Sequence, residues 1–188
     1  MSASDTAAAA PGGAHPLRAR RIGIDTQYEA VVFMHKDCFV CRSEGFTAHN
    51  RVLLRAGERQ VIATLYQVTT DLIAYDEAAL SESAWLRLGL QDGGMIGVSH
   101  PDPVDSLGQV RSRIYGKPLS EAALRSIISD VVNGKYSDIH LASFVTACAT
   151  RPLDHEEILA LTKAMVEAGD KLSWKSNVVV DKHSVGGL

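Results

Sequence analysis

Five residues near the end of the chain have the types and spacing of an anion-binding loop. Lys182, His183 and Ser184 follow one another, and Gly186 and Gly187 come after one intervening residue. Lysine provides a positive point charge, serine a short hydroxyl donor, and glycine lets backbone N–H groups approach a ligand closely. Because successive backbone N–H groups can form a concave nest for an anion, these residues together predict a phosphate-binding site.

The element that must position this loop is the segment directly before it. Val178, Val179 and Val180 form an uninterrupted apolar run, which is typical of a strand buried on both faces of a sheet. Open α/β sheets place their ligand sites just beyond the carboxyl ends of such strands. The alternative interpretation is an ordinary Gly-Gly turn with a solvated lysine, and spacing alone does not separate the two.

The run from Asp181 to Gly187 reads D-K-H-S-V-G-G, and it resembles the D-K-H-S-x-G-G phosphate-binding signature of the thymidine phosphorylase (pyrimidine-nucleoside phosphorylase) family. The segment from Leu172 to Lys175 resembles the stretch that leads into that signature. The variant with Val185 is most similar to the longer branch of the family. That branch includes AMP phosphorylases beside thymidine phosphorylase-like proteins and carries an additional N-terminal domain.

The resemblance implies reversible phosphorolysis, in which a nucleoside and phosphate give the free base and a (deoxy)ribose 1-phosphate. It implies that Lys182, Ser184, Gly186 and Gly187 bind the phosphate, which is a co-substrate, and no cofactor or metal is expected. His183 is the catalytic candidate, because imidazole titrates near neutral pH and can donate a proton or a hydrogen bond to the departing base. A purely structural role for His183, holding the loop, stays open.

Several functions stay open within and beyond this resemblance. Thymidine, uridine and AMP are candidate substrates, and AMP would give adenine and ribose 1,5-bisphosphate. A phosphoribosyltransferase of the anthranilate type is disfavoured by the Lys182-His183-Ser184 run, whereas a non-catalytic assembly module with a degenerate loop is a competing hypothesis. The remaining site residues of the family lie beyond Leu188, so we expect this portion alone to be inactive.

Composition narrows the choice of partners and compartment. The chain has 188 residues and a formal net charge of −3 at pH 7, which gives no support for nucleic acid or an anionic membrane as a partner. No apolar run approaches the roughly 20 residues that span a bilayer. Three cysteines are too few for a disulfide framework, so we expect a reducing cytoplasm. Residues 1–16 are rich in alanine and glycine and predict a disordered leader.

Residues 17–101 predict a β-rich, barrel-like domain. Ser81 and Gly89 have the residue types that begin and end a short helix within it. Apolar runs and turn residues predict strands at 21–25, 30–34, 51–54, 61–68 and 95–98, of which the third and fourth form a hairpin.

One constellation in this domain has residue types that bind metals. His35, Cys38 and Cys41 follow at three-residue intervals, with His49 nearby. Zinc sites usually combine two such knuckles, and only one is present. Cys38 and Cys41 also form a C-x-x-C motif, but a redox role for that motif depends on a βαβ context that the sequence does not predict. Packed thiols are therefore the favoured interpretation, with metal or redox use as the alternative.

Pro101-Asp102-Pro103 predicts a domain boundary, because proline cannot continue a strand ladder, and Asp102 with Pro103 suits the first positions of a helix. Residues 102–174 then predict an all-α domain of four helices. The first helix is expected to end at Gly116, and the second to begin at Ser120 and end at Gly134. The third is expected to begin at Ser137, and the fourth at a capping box of Asp154 with Glu157.

Apolar residues at helical spacing predict the face that each helix buries. They are Leu107, Val110 and Ile114; Leu124, Ile127, Ile128, Val131 and Val132; Ile139, Phe144 and Val145; and Ile158, Leu161, Thr162, Met165 and Val166. A plain bundle buries these stripes, whereas exposed stripes favour a dimer. The resemblance implies a dimer-forming helical domain that faces an α/β domain. The predicted fold is thus an α+β multi-domain fragment: a barrel-like domain, a helical domain, and, at residues 175–188, the first strand of a truncated α/β domain.

Overall fold

The computed structural model describes residues 16–175, 178 and 180. Over these residues the chain forms two compact units that divide after Pro103. Six strands and two short helices make up the first unit, and four helices make up the second, counted within the described residues.

The first unit is a closed six-stranded barrel, which confirms the predicted barrel-like fold. Around the barrel the strands follow the order β1-β5-β2-β4-β3-β6. Closure leaves no free sheet edge, so every strand has two hydrogen-bonded neighbours. The strands are β1 (Leu17–Arg21), β2 (Val31–His35), β3 (Arg51–Ala56), β4 (Arg59–Val68), β5 (Glu77–Leu80) and β6 (Met95–Ser99).

Alternating side chains from the strands fill the barrel interior. Val32 and Met34 from β2, Leu54 from β3 and Leu65 from β4 are completely buried, and Leu80 from β5 joins them. Because successive side chains of a strand point to opposite faces, this spacing of two directs one set inward and leaves the other on the outer surface. The mixture of parallel and antiparallel pairs, with β2 parallel to β4 and antiparallel to β5, sets the register.

Two predicted elements of the barrel are present as expected. β3 and β4 form the predicted antiparallel hairpin, with Ala56 opposite Arg59. Helix α2 (Glu82–Leu88) begins after Ser81 and ends at Gly89, whose φ of 61° lies in the left-handed region that favours glycine. The Ser81 hydroxyl accepts the N–H of Ala84 and, at 3.1 Å, the N–H of Val31. It therefore fixes the start of α2 against β2.

One prediction for this unit was wrong, and two of its elements were not predicted. The first strand covers 17–21, not 21–25, because Gly23 adopts a φ of 68° that an extended strand does not allow. β5 was not predicted, since its sequence Glu-Ala-Ala-Leu contains residues that are depleted in strands. A short helix, here α1 (Phe39–Glu44), was also missed because its six residues are too few to show helical periodicity.

The second unit is a bundle of four helices, as predicted. They are α3 (Ser106–Ile114), α4 (Glu121–Val132), α5 (Asp138–Thr150) and α6 (His155–Ala168). The expected capping residues Ser120, Ser137 and Asp154 lie directly before α4, α5 and α6. The expected start at Asp102 and Pro103 was wrong, since α3 begins at Ser106. No helix in the part of the chain that the structure describes is long and apolar enough to cross a membrane.

In each helix the bundle buries fewer of the predicted apolar residues than their helical spacing indicates. Val110, Leu124, Ile127 and Phe144 do form the core, packed with Leu119 of the α3–α4 connection. Residues Ile114, Val132, Ile139, Val145, Ile158, Met165 and Val166 are instead more than half exposed.

On α6 the buried side is made of small residues. Ala160 and Ala164 are buried there, and α6 packs against α4. Small side chains let two helix backbones approach closely, which leaves no room between them for the bulkier residues of α6. Ile158, Met165 and Val166 therefore lie on the outer side of the helix, contrary to the prediction.

A buried ion pair between Arg113 and Glu157 joins α3 to α6. Arg113 Nη1 donates to Glu157 Oε1 at 2.8 Å, and the two side chains are 1% and 5% exposed. The same Glu157 oxygen accepts the Leu119 N–H at 2.7 Å, and the second oxygen accepts the Asp154 N–H at 3.0 Å. Arg113 Nη2 donates to the carbonyl oxygen of Arg151 at 2.7 Å. Both charges are thus paired and hydrogen-bonded, as burial of a charge requires, and only Arg113 Nε is buried without a hydrogen-bond partner in this ion pair.

Replacing Arg113 by methionine should destabilise the helical unit by about 3–5 kcal/mol, because the change leaves the Glu157 carboxylate buried without its counter-charge. Urea unfolding followed by circular dichroism measures this free energy. The matched control is Arg125→Met, which removes a half-exposed arginine paired with Glu121 and Glu167 and should destabilise the unit far less, because solvent screens an exposed ion pair. Equal losses in the two variants would contradict the role given to the buried pair.

Candidate functional site

The predicted phosphate loop lies outside the described residues. This holds for Asp181, Lys182, His183, Ser184, Gly186 and Gly187, and also for Val179. Val178 and Val180 are described, belong to no strand, and are 77% and 88% exposed. The predicted α/β strand and the roles of the loop residues therefore stay predictions.

The described segment that leads toward the loop is exposed. After α6 the chain runs through Leu172 and Trp174, whose side chains are 80% and 64% exposed. A large indole on a surface presents apolar area that is usually covered by another part of a protein or by a ligand.

A cleft of about 480 Å³ lies at the starts of α4 and α6, where free backbone N–H groups would suit an anion. A side chain of the protein already accepts one N–H at each helix start, however. Ser120 Oγ accepts the Ala123 N–H at 3.2 Å, and Asp154 Oδ1 accepts the Glu157 N–H at 2.8 Å. The lining contains four carboxyl side chains against a single lysine, Lys163, so acidic groups outnumber basic ones. This cleft consequently does not have the chemistry of a phosphate site.

An apolar groove of about 450 Å³ lies between α3 and α5, and we call it the α3–α5 groove. Ile114 and Ile139 flank it and are 58% and 77% exposed. The remaining lining residues are small: Ala142, Ser143, Thr146, Ala147 and Thr150. Such a surface suits an apolar partner surface better than a charged substrate.

A buried polar cluster, which the sequence analysis missed, braces the bundle. Ser106 Oγ donates to Asp130 Oδ2 at 2.7 Å and lies 2.9 Å from Tyr136 Oη. Burial raises the pKa of the Tyr136 phenol, so it stays protonated near neutral pH. The cluster joins the start of α3 to α4 and to the α4–α5 connection. Ser106 lies 24 residues before Asp130 and 30 before Tyr136, and the three match no short motif, so only the fold brings Ser106 to the other two.

The C-x-x-C motif of the barrel is placed at the start of α1. Cys38 precedes the helix and its sulfur accepts the N–H of Cys41 at 3.2 Å. Both cysteines are buried and free. The side-chain hydrogen bond with Cys41 lowers the pKa of Cys38 to about 7, whereas the same contact raises the pKa of Cys41. The two thiols therefore differ in nucleophilicity although they share one motif.

The side chains of the two histidines in the predicted constellation have partners other than the cysteine thiols, although the His35 carbonyl accepts the Cys38 N–H at 2.9 Å. His35 Nδ1 accepts the Asp37 N–H at 3.1 Å, and its ring packs on Tyr75 at a centroid distance of 4.3 Å. The His49 ring contacts Tyr66 edge-on at 5.0 Å. Within residues 16–175, 178 and 180, no three His, Cys, Asp or Glu side chains come together in a way that could hold a metal ion.

Comparison with known proteins identifies relatives of both units. Residues 107–169 match the helical bundle domain of a glycosyl transferase family. The chain is 54% identical over 174 residues to a protein of Polaromonas sp. (strain JS666) named "putative thymidine phosphorylase", which covers 93% of this chain and 34% of that protein. It is 51% identical over 175 residues to a protein of the same name from Sphingopyxis alaskensis, again covering 93% and 34%.

A third relative is "putative thymidine phosphorylase 2" of Acidovorax sp. (strain JS42), 55% identical over 172 residues that cover 92% of this chain and 34% of that protein. The chain thus spans about a third of the length of the relatives that it matches. Identity at this level over nearly the whole chain includes the barrel as well as the bundle. The resemblance to the thymidine phosphorylase family that was drawn from the sequence is therefore confirmed over nearly the whole of this chain.

Proposed function

We propose that this chain supplies part of the active site of a nucleoside phosphorylase. Such a pentosyltransferase converts a pyrimidine nucleoside and phosphate reversibly into the free base and a (deoxy)ribose 1-phosphate. The observation that carries the proposal is the 54% identity, over 93% of this chain, to a protein whose name is "putative thymidine phosphorylase". The D-K-H-S-V-G-G run at residues 181–187 supports it independently, because its residue types suit phosphate.

Each proposed site residue answers one requirement of the reaction. Lys182, Ser184 and the backbone of Gly186 and Gly187 would hold phosphate and aim it at the anomeric carbon. Such positioning can lower a barrier by about 7–11 kcal/mol when the geometry is near that of attack. His183 would donate a proton or a hydrogen bond to the departing base as positive charge develops on the sugar.

The described residues support this assignment because they argue against one competing phosphate site. The cleft at the starts of α4 and α6 is lined by four carboxyl side chains against one lysine, Lys163, and a capping side chain accepts one N–H at each helix start. A dianionic phosphate is therefore better served by the loop than by this cleft. Because the chain spans 34% of its relative's length, we further propose that residues 1–188 alone do not catalyse the reaction.

AMP phosphorylase activity, giving adenine and ribose 1,5-bisphosphate, is the second candidate. The D-K-H-S-V-G-G variant is what favours it, through its similarity to the longer branch of the family. A non-catalytic assembly module is the third candidate and is favoured by the exposed α3–α5 groove.

Lys182→Ala in the complete product of the gene should abolish phosphate-dependent release of free base, because the variant lacks the positive charge proposed to hold phosphate. Base release is measured by chromatography with thymidine, uridine, cytidine and AMP in turn, each with and without phosphate. The matched control is Lys171→Ala, an exposed lysine after α6 that should leave turnover unchanged.

The substrate that is turned over distinguishes the candidates. Release from thymidine or uridine supports the pyrimidine nucleoside activity, and release from AMP alone supports the second candidate. Release that does not require phosphate, or full activity of Lys182→Ala, would contradict the proposed site. No release from any substrate by the folded protein would favour the assembly module.

We also propose that the protein forms a homo-oligomer through its helical unit and that it resides in the cytoplasm. The α3–α5 groove supports the first statement, since Ile114 and Ile139 expose apolar area there and a second copy would cover it. The second statement is supported by the three free thiols, which suit the reducing cytoplasm: those of Cys38, Cys41 and Cys148.

Ile139→Asp should shift the protein from oligomer to monomer, because a carboxylate in the α3–α5 groove would have to be desolvated on association. Sedimentation equilibrium at several protein concentrations measures the change in mass. Leu86→Asp is the control, since Leu86 is similarly exposed but lies on α2 of the barrel unit. A wild-type chain that stays monomeric at all concentrations would overturn this part of the proposal.

A further inference from the structure

Helix α6 has three distinct faces. One face packs against α4 and contains the buried residues Ala160 and Ala164. A second face contains the charged side chains of Glu156, Lys163 and Glu167, all of which are exposed. The third face is neither buried nor charged, and it has no part in the proposed phosphorolysis.

We call the third face the α6 outer face, and it consists of Ile158, Leu159, Thr162, Met165 and Val166. Their spacing of i, i+1, i+4, i+7 and i+8 places these side chains on one side of a helix. The four bulky residues are 48–60% exposed. The Thr162 hydroxyl donates to the Ile158 carbonyl oxygen at 2.8 Å, so the only polar side chain of the face is already hydrogen-bonded. The face is therefore suited to an apolar partner.

The distribution of side-chain size on α6 is the reverse of what a helix at the edge of a bundle requires. Such a helix buries one apolar face and exposes a polar one. The packed face of α6 instead contains alanines, and its bulky apolar residues lie on the open side. Because α4 is the principal helix neighbour of α6 within the described residues, the α6 outer face is in contact with solvent. A contiguous exposed apolar patch of this kind marks a surface that another element covers.

We propose that the α6 outer face is covered by an amphipathic helix from a part of the same polypeptide that the relatives have in addition to the matched residues. Each of the three relatives shares about half of its residues with this chain over the matched region, and that region is 34% of its length. The remaining two thirds of such a protein are available to supply the covering helix.

The shape and chemistry of the face define its partner. Side chains at this spacing form ridges on a helix, and the grooves between the ridges of a second helix accommodate them. The packing face of that second helix must be apolar, because a polar group placed against these side chains would be buried without a hydrogen-bond partner. A charged ligand or a nucleic acid therefore does not fit the face.

A second copy of the chain is the competing occupant. A second copy must bind from solution, whereas a segment of the same polypeptide is held nearby at an effective concentration on the order of millimolar. The D-K-H-S-V-G-G run follows α6 closely in the sequence, so the part of the protein that follows this run is tethered beside the C-terminal end of the face. The α3–α5 groove, on two other helices, is the surface proposed for a second copy.

The test measures how fast a maleimide labels single cysteines introduced on α6 of the complete product of the gene. Val166→Cys and Thr162→Cys lie on the α6 outer face, and Lys163→Cys on the charged face is the matched control. We expect the first two to be labelled at least about tenfold more slowly than the control, because a thiol beneath a packed helix reacts only when that packing opens. In urea all three should be labelled at the same rate. Peptide mass spectrometry assigns the label to α6.

The same measurement at several protein concentrations, and in the Ile139→Asp background, separates the two occupants. Slow labelling of the α6 outer face that persists on dilution and in Ile139→Asp supports a cover within one polypeptide. Slow labelling that is lost on dilution would overturn the proposal and assign the face to a second copy. Labelling of all three cysteines at the control rate in the folded protein would also overturn it. Base release by the same preparations tests the proposed phosphorolysis separately.

Discussion

The helical unit depends on how one buried charge is satisfied. Glu157 is the third residue of α6, and its carboxylate accepts the N–H of the capping residue Asp154, accepts the Leu119 N–H just before α4, and pairs with Arg113 of α3. An unpaired buried carboxylate costs free energy. The three segments that Glu157 joins can therefore move relative to one another only if a bond to its carboxylate breaks. One side chain therefore fixes the relative position of three helices.

Local chemistry made part of this fold predictable. The β3–β4 hairpin, the helix from Ser81 to Gly89, and the capping box of Asp154 with Glu157 each depend on residues a few positions apart, and the structure confirms them. The features that the sequence did not predict depend on residues that are distant in the chain. β5 is a strand because β1 and β2 lie on either side of it, and nothing in Glu-Ala-Ala-Leu signals that. Likewise, the outer position of Ile158 follows from the close approach of α4 to the small residues of α6.

The candidate site was likewise predictable only in part. The residue types at 181–187 are specific enough to indicate phosphate chemistry and a family, and the resemblance to that family is confirmed, but the loop lies outside the described residues and its geometry stays a prediction. For the cysteines the sequence predicted packed thiols, and the structure buries both Cys38 and Cys41 in the barrel core.

The pairing of the barrel strands also bears on how the chain folds. Arg18 of β1 pairs with Glu77 of β5, and Leu17 pairs with Ile96 of β6, so the first strand finds both of its neighbours only near the end of its unit. Contacts of such sequence separation carry a large loop-closure entropy and slow folding, whereas the helix contacts of the second unit are more local. During synthesis β1 therefore lacks its full set of hydrogen-bonded neighbours until nearly a hundred residues have left the ribosome. Its alternation of Leu17 and Ala19 with three arginines keeps that waiting segment charged and resistant to aggregation.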